Sequence, residues 1–195
     1  SYNAPSSRAL TRAIVDRVGG RRSLNFLIGG LGMGYSLREA LACPATQSVC
    51  VVEVEPHIES WNRAHLGNSD ILDDPRTEVI IGDFYDFVQG NPKSYDGIAI
   101  DIDNGPDWVI RAENRRVYSL SMLETLRTRL RSGGILTIWG HAAVPSYDRA
   151  VREAFETSEM LEVTDHDPTT GKAIEAVIYV APGPPVTPDL PEAAE

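Results

Sequence analysis

The chain has 195 residues, 42% of them hydrophobic, and a formal net charge of −10. This length is enough for one well-buried core and too short for two independent enzyme domains. We therefore predict a single domain over residues 1–181 and a Pro-rich extended tail over residues 182–195. The acidic charge argues against a nucleic-acid partner, because phosphate backbones attract basic surfaces, and it favours small cationic ligands.

The sequence shows no membrane-spanning run and no disulfide framework. No apolar stretch approaches the roughly eighteen residues of a transmembrane helix, and no charged-then-apolar signal segment opens the sequence. Cys43 and Cys50 are its two cysteines, and their spacing fits neither a metal motif nor a disulfide pattern. We expect a reduced, cytoplasmic protein with no membrane partner.

The first elements are predicted to be a helix, a strand, a glycine-rich loop and a second helix. Apolar residues at helical spacing follow Ser6 and Ser7, which are typical N-cap residues, and a Gly-Gly pair ends this helix. The strand-like segment "LNFLIGG" then leads into the loop "LIGGLGMG" at residues 27–34. Ser36 and Glu39 have capping-box spacing and predict the start of the second helix.

Four more strands are predicted in "SVCVVEV", "EVIIGDF", "YDGIAIDID" and "GGILTIWG". A helix beginning with a proline is expected over residues 56–66, with Trp61 packed in the core. Ser121 and Glu124 offer a second capping box, for a helix that ends near Gly133.

Strands that alternate with helices at this spacing predict an α/β fold with a doubly wound, mostly parallel, Rossmann-like sheet. Near its end the chain departs from this alternation. The segment "MLEVTDHDPTTGKAIEAVIYVA" holds two strand candidates joined by a polar turn at Gly171, which predicts an antiparallel hairpin at one edge of the sheet. The hairpin brings the predicted sheet to seven strands.

Glycines or acidic residues follow each of the first four predicted strands. They are Gly30, Gly32 and Gly34 after the first strand, Glu53 on the second, Asp83 after the third, and Asp101 with Asp103 on the fourth. In an open parallel sheet the ligand lies at the carboxyl ends of the strands, beside the point where strand order reverses. Each acid alone is explained as a loop or helix cap, but their agreement on successive strands predicts one cleft.

Two of these acids have positions suited to a nucleoside. Glu53 follows Gly34 by 19 residues, close to the spacing of about 20 at which an acidic side chain meets ribose hydroxyls in this architecture. Asp83 is positioned to accept from an exocyclic adenine amine, with Phe84 or Ile81 lining the base. A helix-capping role for Asp83 is an equal alternative.

The segments "IGGLGMGYSLRE", "VVEVEP", "VIIGDFYDF", "YDGIAIDIDNGP" and "VYSLSMLETLRTRLRSGGIL" resemble the core of spermidine synthase-like proteins, which have the class I S-adenosylmethionine-dependent methyltransferase fold. The resemblance covers about residues 7–180. It implies S-adenosylmethionine or its decarboxylated form as co-substrate, held in the glycine cleft. It also implies that Glu53 binds ribose and that Asp83 contacts adenine.

The resemblance further implies an amine acceptor and a family-level expectation of a homodimer. Asp101 matches the carboxylate that orients and deprotonates the attacking amine in aminopropyltransferases, and Asp103 matches the second acid of that loop. A protonated amine has a pKa of about 10 and must lose its proton before attack. Trp108, Tyr118 or Trp139 is expected to offer an aromatic face to the substrate cation.

The sequence departs from the family pattern at the residues that contact the donor's tail. Met33 stands where polyamine synthases carry the Asp that contacts the aminopropyl ammonium, and Tyr35 replaces the next glycine. Ile28 stands where ordinary methyltransferases carry an acid that helps hold the methionine part of the cofactor. The acidic loop is also shortened, to "DIDNGP".

Three functions remain open from the sequence. The first is transfer of an alkyl group, aminopropyl in the family, from an adenosyl-sulfonium donor to an amine. The second is methyl transfer from S-adenosylmethionine to a small molecule, and the third is a non-catalytic nucleoside-binding or scaffold role. No metal is expected, because the four histidines are scattered without ligand spacing.

Overall fold

The computed structural model describes residues 4–18, 20–166 and 169–185. Its strands are β1 (Leu24–Gly29), β2 (Thr46–Glu53), β3 (Thr77–Ile81), β4 (Tyr95–Ile100), β5 (Leu130–Gly140), β6 (Glu159–His166) and β7 (Ala173–Pro182). Its helices are α1 (Ala4–Val18), α2 (Tyr35–Ala42), α3 (Pro56–Ala64), α4 (Ser69–Leu72), α5 (Phe84–Gly90), α6 (Leu120–Thr128) and α7 (Pro145–Phe155), with a 3-10 helix at Ala112–Tyr118.

The strands form a seven-stranded sheet in the order β3-β2-β1-β4-β5-β7-β6. The first five pair in parallel, whereas β7 is antiparallel to both β5 and β6. Strand order reverses beside β1, which lies between β2 and β4. The predicted doubly wound sheet and the C-terminal antiparallel hairpin are confirmed.

Helices cover both faces of this sheet, which explains why the central strands are continuously apolar. Successive side chains of β1 point to opposite faces: Leu27 belongs to the core cluster that includes α6 and α7, and Ile28 to the cluster that includes α1 and α2. Among the described residues, no helix is both long and apolar enough to cross a bilayer.

The N-terminal caps predicted for the first two helices are wrong. Ser6 and Ser7 are buried inside α1, which begins at Ala4. Helix α2 begins one residue before Ser36 and has Gly34 as its N-cap. The Ser36 hydroxyl donates instead to the backbone oxygen of Ser7, at 3.1 Å. A tertiary contact with α1 has therefore replaced the local cap.

The capping box predicted for α6 is displaced by two residues. The N-cap is Ser119, whose side chain accepts from the Met122 N–H, so Ser121 lies inside the helix. The helix also ends earlier than predicted, since β5 begins at Leu130 and includes Gly133.

The predicted burial of Trp61 is also wrong. Its side chain is 52% exposed on α3 and stacks on His57, while the buried residue of that helix is Asn62. The predicted tail begins within the end of β7, and Gly133 N–H donates to the backbone oxygen of Pro184, at 2.6 Å. Most of the predicted tail, residues 186–195, lies outside the described residues.

Candidate active site

The glycine loop between β1 and α2 is in direct backbone contact with the end of β4. Gly30 N–H donates to the backbone oxygen of Val52, and Asp101 N–H donates to that of Gly29, each at 2.9 Å. A Cβ at position 30 would stand 2.5 Å from the Asp101 backbone oxygen. Only glycine fits there, so the loop and the acidic segment after β4 lie side by side.

Two buried asparagines hold the outer side of the glycine loop. Asn62 Nδ2 donates to the backbone oxygen of Gly32 at 2.8 Å, and Asn68 Nδ2 donates to that of Met33 at 3.0 Å. Asn68 Nδ2 also donates to Asn62 Oδ1, at 2.7 Å. These bonds fix the loop from the side of α3 and α4. Sequence reasoning missed both residues, because asparagines spaced six apart match no motif.

Glu53 links the end of β2 to the same loop. Its Oε2 accepts from the Leu31 N–H and its Oε1 from the Glu55 N–H, both at 2.9 Å, and the side chain is buried. A carboxylate oxygen has more than one lone pair, so each can accept a further bond from a ligand. The side chain is therefore held rigidly in the cleft before any ligand arrives.

Asp83 lies at the end of β3 and combines two roles. It is the N-cap of α5, accepting from the Asp86 N–H at 3.1 Å, and it forms a 2.9 Å ion pair with Arg116. The capping role that the sequence allowed is present, and Asp83 also lines the cleft. Phe84, the next residue, packs beneath Gly29.

A cavity of about 340 Å³ opens at the carboxyl ends of β1 to β4; we call it the first cavity. It brings together seven residues predicted for the site: Gly30, Gly32, Glu53, Asp83, Phe84, Asp101 and Asp103. Its other lining residues are mostly apolar, together with Arg111 and Asn114. Gly34 and Ile81 are not among the described residues that line it. The volume lies in the range of small-ligand pockets.

A second cavity, also of about 340 Å³, adjoins the first. The two share Gly32, Asp101 and Asp103. The remaining lining residues of the second cavity are Ser7, Leu31, Met33, Tyr35, Ser36, Asn104 and Trp139. The two carboxylates after β4 therefore stand where the cavities meet.

The two acids at this junction differ in environment. Burial raises the pKa of Asp101 above its usual value, and a hydrogen bond from Ser7 partly offsets this effect. Asp103 has a positive φ of 57°, uncommon for a residue with a side chain, and its Oδ2 accepts from Asn114 Nδ2 at 2.7 Å. Asp101 is thus a stronger base than an ordinary aspartate, whereas the Asp103 carboxylate is held by Asn114.

The three predicted aromatic residues do not share one location. Tyr118 is buried, donates its hydroxyl hydrogen to the backbone oxygen of Ile102 and packs edge-on against Tyr147. Trp108 is exposed with its ring edge-on to His141. Neither is among the described residues that line the first or the second cavity. Trp139 lines the second cavity.

Comparisons with known proteins identify the family of the chain. A model of the family described as spermine/spermidine synthase domain matches residues 21–158. The chain belongs to this family.

Within the described residues, no group of three or more His, Cys, Asp or Glu side chains is arranged to hold a metal ion.

Two relatives in the spermine/spermidine synthase family show how far this sequence has diverged from its known relatives. Polyamine aminopropyltransferase 2 of Pseudomonas aeruginosa is 31% identical over 120 residues, which cover 58% of this chain and 32% of that protein. The polyamine aminopropyltransferase of Sulfolobus acidocaldarius is 30% identical over 132 residues, covering 63% and 40%. The chain thus matches two fifths or less of the length of these relatives.

Solved structures confirm the class I methyltransferase-like fold. A spermidine synthase in complex with the transition state analogue AdoDATO matches with a TM-score of 0.74 and 20% identity, over 91% of this chain and 60% of that one. Human methyltransferase-like protein 13, in complex with SAH, matches with a TM-score of 0.68 and 17% identity, over 100% and 86%. At such identities the likeness concerns the fold alone.

Proposed function

We propose that the protein transfers an alkyl group, aminopropyl in its relatives, from an adenosyl-sulfonium donor to an amine acceptor. One observation carries the proposal: the two cavities meet at Asp101 and Asp103. Transfer between two substrates needs two adjoining compartments with a proton acceptor at their junction. Family membership supports the same reaction class.

The first cavity suits the adenosine part of the donor. Glu53 would accept from the ribose hydroxyls and Asp83 from the adenine amine, while Phe84 supplies apolar wall. Since Glu53 is already held by two backbone N–H groups, its oxygens need no reorganisation on binding. With the adenosine held in this way, the donor's sulfonium would face the shared carboxylates.

At the junction, Asp101 would remove the proton that blocks the amine's lone pair. The nitrogen then forms a bond to the carbon on sulfur, that carbon–sulfur bond breaks, and its electron pair goes to sulfur, which becomes a neutral thioether. The proton stays on the Asp101 carboxylate. A raised pKa makes Asp101 a stronger base than an ordinary aspartate, and the net charge of −10 helps to gather a cationic acceptor.

Substitution of Asp101 tests this assignment directly. Asp101→Asn keeps the shape of the side chain and removes the base, so turnover should fall by about a hundredfold or more. Asp107→Asn is the matched control, because Asp107 is a partly exposed acid beside His141 and outside both cavities. Equal turnover in the two variants would remove Asp101 from the mechanism.

Calorimetric titration separates the alternatives for the donor. Binding of S-adenosylmethionine, its decarboxylated form and methylthioadenosine is measured side by side. Preference for the decarboxylated form supports aminopropyl transfer. Lack of binding by all three would overturn the proposal and favour a non-catalytic role.

Methyl transfer is a second candidate, favoured by Met33. Met33 lines the second cavity, where a decarboxylated donor's terminal ammonium would need an acid. Met33→Asp should therefore tighten binding of the decarboxylated donor and do little for the intact one. An equal effect on both donors would show that position 33 does not contact the tail.

A further inference from the structure

Arg116 connects the 3-10 helix at Ala112–Tyr118 to the start of α5. Its guanidinium pairs with Asp83 Oδ1 at 2.9 Å and with Asp86 Oδ1 at 3.2 Å. The guanidinium carbon also lies 4.6 Å from the centre of the Tyr85 ring, within the range of a cation–π contact. Three contacts with α5 and its N-cap therefore hold one arginine side chain. Arg116 itself is not among the described residues that line either cavity.

The contacts of Asp83 distinguish its two carboxylate oxygens. Oδ1 accepts from the Asp86 N–H at 3.1 Å and pairs with the Arg116 guanidinium. Oδ2 has no hydrogen-bond partner in the described part of the chain, and the residue lines the first cavity. A carboxylate oxygen is a hydrogen-bond acceptor. The arrangement therefore leaves one acceptor of Asp83 for an N–H group of a ligand.

The guanidinium affects this carboxylate in two ways. A second, charge-assisted contact on Oδ1 restricts rotation of the carboxylate more than the Asp86 N–H does alone. The positive charge also lies between two acids, Asp83 and Asp86, which would otherwise repel each other. Arg116 therefore favours a single orientation of the Asp83 side chain.

We infer that Arg116 is a positioning residue for nucleobase recognition, which holds Asp83 so that its Oδ2 accepts from the exocyclic amine of adenine. The inference rests on the proposed function, in which Asp83 accepts from that amine, and it adds the residue that orders the acceptor before the ligand binds. Ordering in advance avoids the loss of side-chain freedom that binding otherwise costs. The neighbouring Arg115 is exposed and forms no ion pair in the described part of the chain, so the contacts of Arg116 matter here rather than its charge alone.

Two ligands that differ only in the amine test this contact. Methylthioadenosine and its 6-deamino analogue, which has hydrogen in place of the amine, are titrated by calorimetry. The wild type should prefer methylthioadenosine by about tenfold or more, the effect of one hydrogen bond to a charged acceptor. Arg116→Gln should reduce this preference by about threefold or more, because the ligand must then order Asp83 itself. Arg116→Lys keeps the charge without the planar fork and should give an intermediate preference.

Arg115→Gln is the matched control. It removes the same charge from the adjacent residue of the same 3-10 helix and should leave the preference unchanged. Unfolding midpoints of all variants check that the fold is intact. If Arg116→Gln does not fold, Arg116→Lys supplies the comparison with the wild type.

Asp83→Asn separates positioning from general support of the cleft. Adding Arg116→Gln to Asp83→Asn should not change the preference for the amine further, because the carboxylate through which Arg116 acts is already gone. A merely structural role of Arg116 would instead weaken both ligands alike, with Asp83 present or replaced.

The outcomes separate this inference from the proposed function. If Arg116→Gln binds methylthioadenosine with the preference of the wild type, the inference is overturned and the proposed function stands. Equal affinity of the wild type for the two ligands removes Asp83 from recognition of the base, and the inference with it, but leaves a nucleoside cavity. If methylthioadenosine does not bind, the proposed function fails, and the inference fails with it.

Discussion

Glu53 is expected to stabilise the empty cleft through two backbone hydrogen bonds, and this can be tested by unfolding. Its two oxygens accept from the N–H groups of Leu31 and Glu55. Hydrogen bonds to a charged group contribute about 1.5–3 kcal/mol each. Glu53→Gln keeps one acceptor and turns an amide donor toward the other N–H, which should cost about 2 kcal/mol. Glu53→Ala loses both bonds and should cost about 3–5 kcal/mol.

Urea unfolding measures these differences. With a slope of about 2 kcal/mol/M for a domain of this size, a loss of about 2 kcal/mol lowers the midpoint by about 1 M. Glu59→Gln is the control, because Glu59 makes only a partly exposed ion pair with Arg63 at 3.2 Å, worth about 0.5 kcal/mol or less. If Glu53→Gln unfolds at the same urea concentration as Glu59→Gln, the carboxylate does not hold the loop.

Three further predictions concern the loop and the acid beside it. Gly34→Ala should lower the free energy of unfolding by about 2 kcal/mol, as measured by urea unfolding. The reason is that φ at this residue is +77° and that the new Cβ would lie 2.8 Å from Asn68 Nδ2. Asn62→Ala should weaken methylthioadenosine binding in calorimetry by freeing the loop carbonyl of Gly32. Burial raises the pKa of Asp101, so the folded protein binds the proton of this carboxyl group more tightly than the unfolded chain does. Ionisation of Asp101 therefore lowers the free energy of unfolding. Relative to wild type, Asp101→Asn should therefore gain stability as the pH rises from about 4 through the raised folded pKa, as measured by unfolding at a series of pH values.

Residues at strand ends were predictable because a parallel sheet imposes where they meet. Once the apolar runs identified five parallel strands, their carboxyl ends had to share one edge. Glu53, Asp83 and Asp101 followed from that rule, and the structure lines one cavity with all three. The prediction needed only the period and order of the strands, both of which are local features of the sequence.

Helix caps were less predictable because local and tertiary partners compete for the same hydroxyl. Ser36 has the spacing of a capping residue, yet its hydroxyl donates to the carbonyl of Ser7 on a helix distant in sequence. Ser119, which did cap its helix, has its partner Met122 three residues away. Spacing identifies the residues able to cap, but packing decides which of them does.

Helix α3 shows why the polar support of the site was missed. The sequence pattern predicted Trp61 in the core, whereas the structure buries Asn62 and exposes Trp61. The buried Asn62 of α3 lies against the Gly32 carbonyl of the glycine loop, and that acceptor requires an amide donor rather than an apolar ring surface. A pattern that counts apolar residues cannot detect such a face, since its requirement comes from backbone groups of another segment.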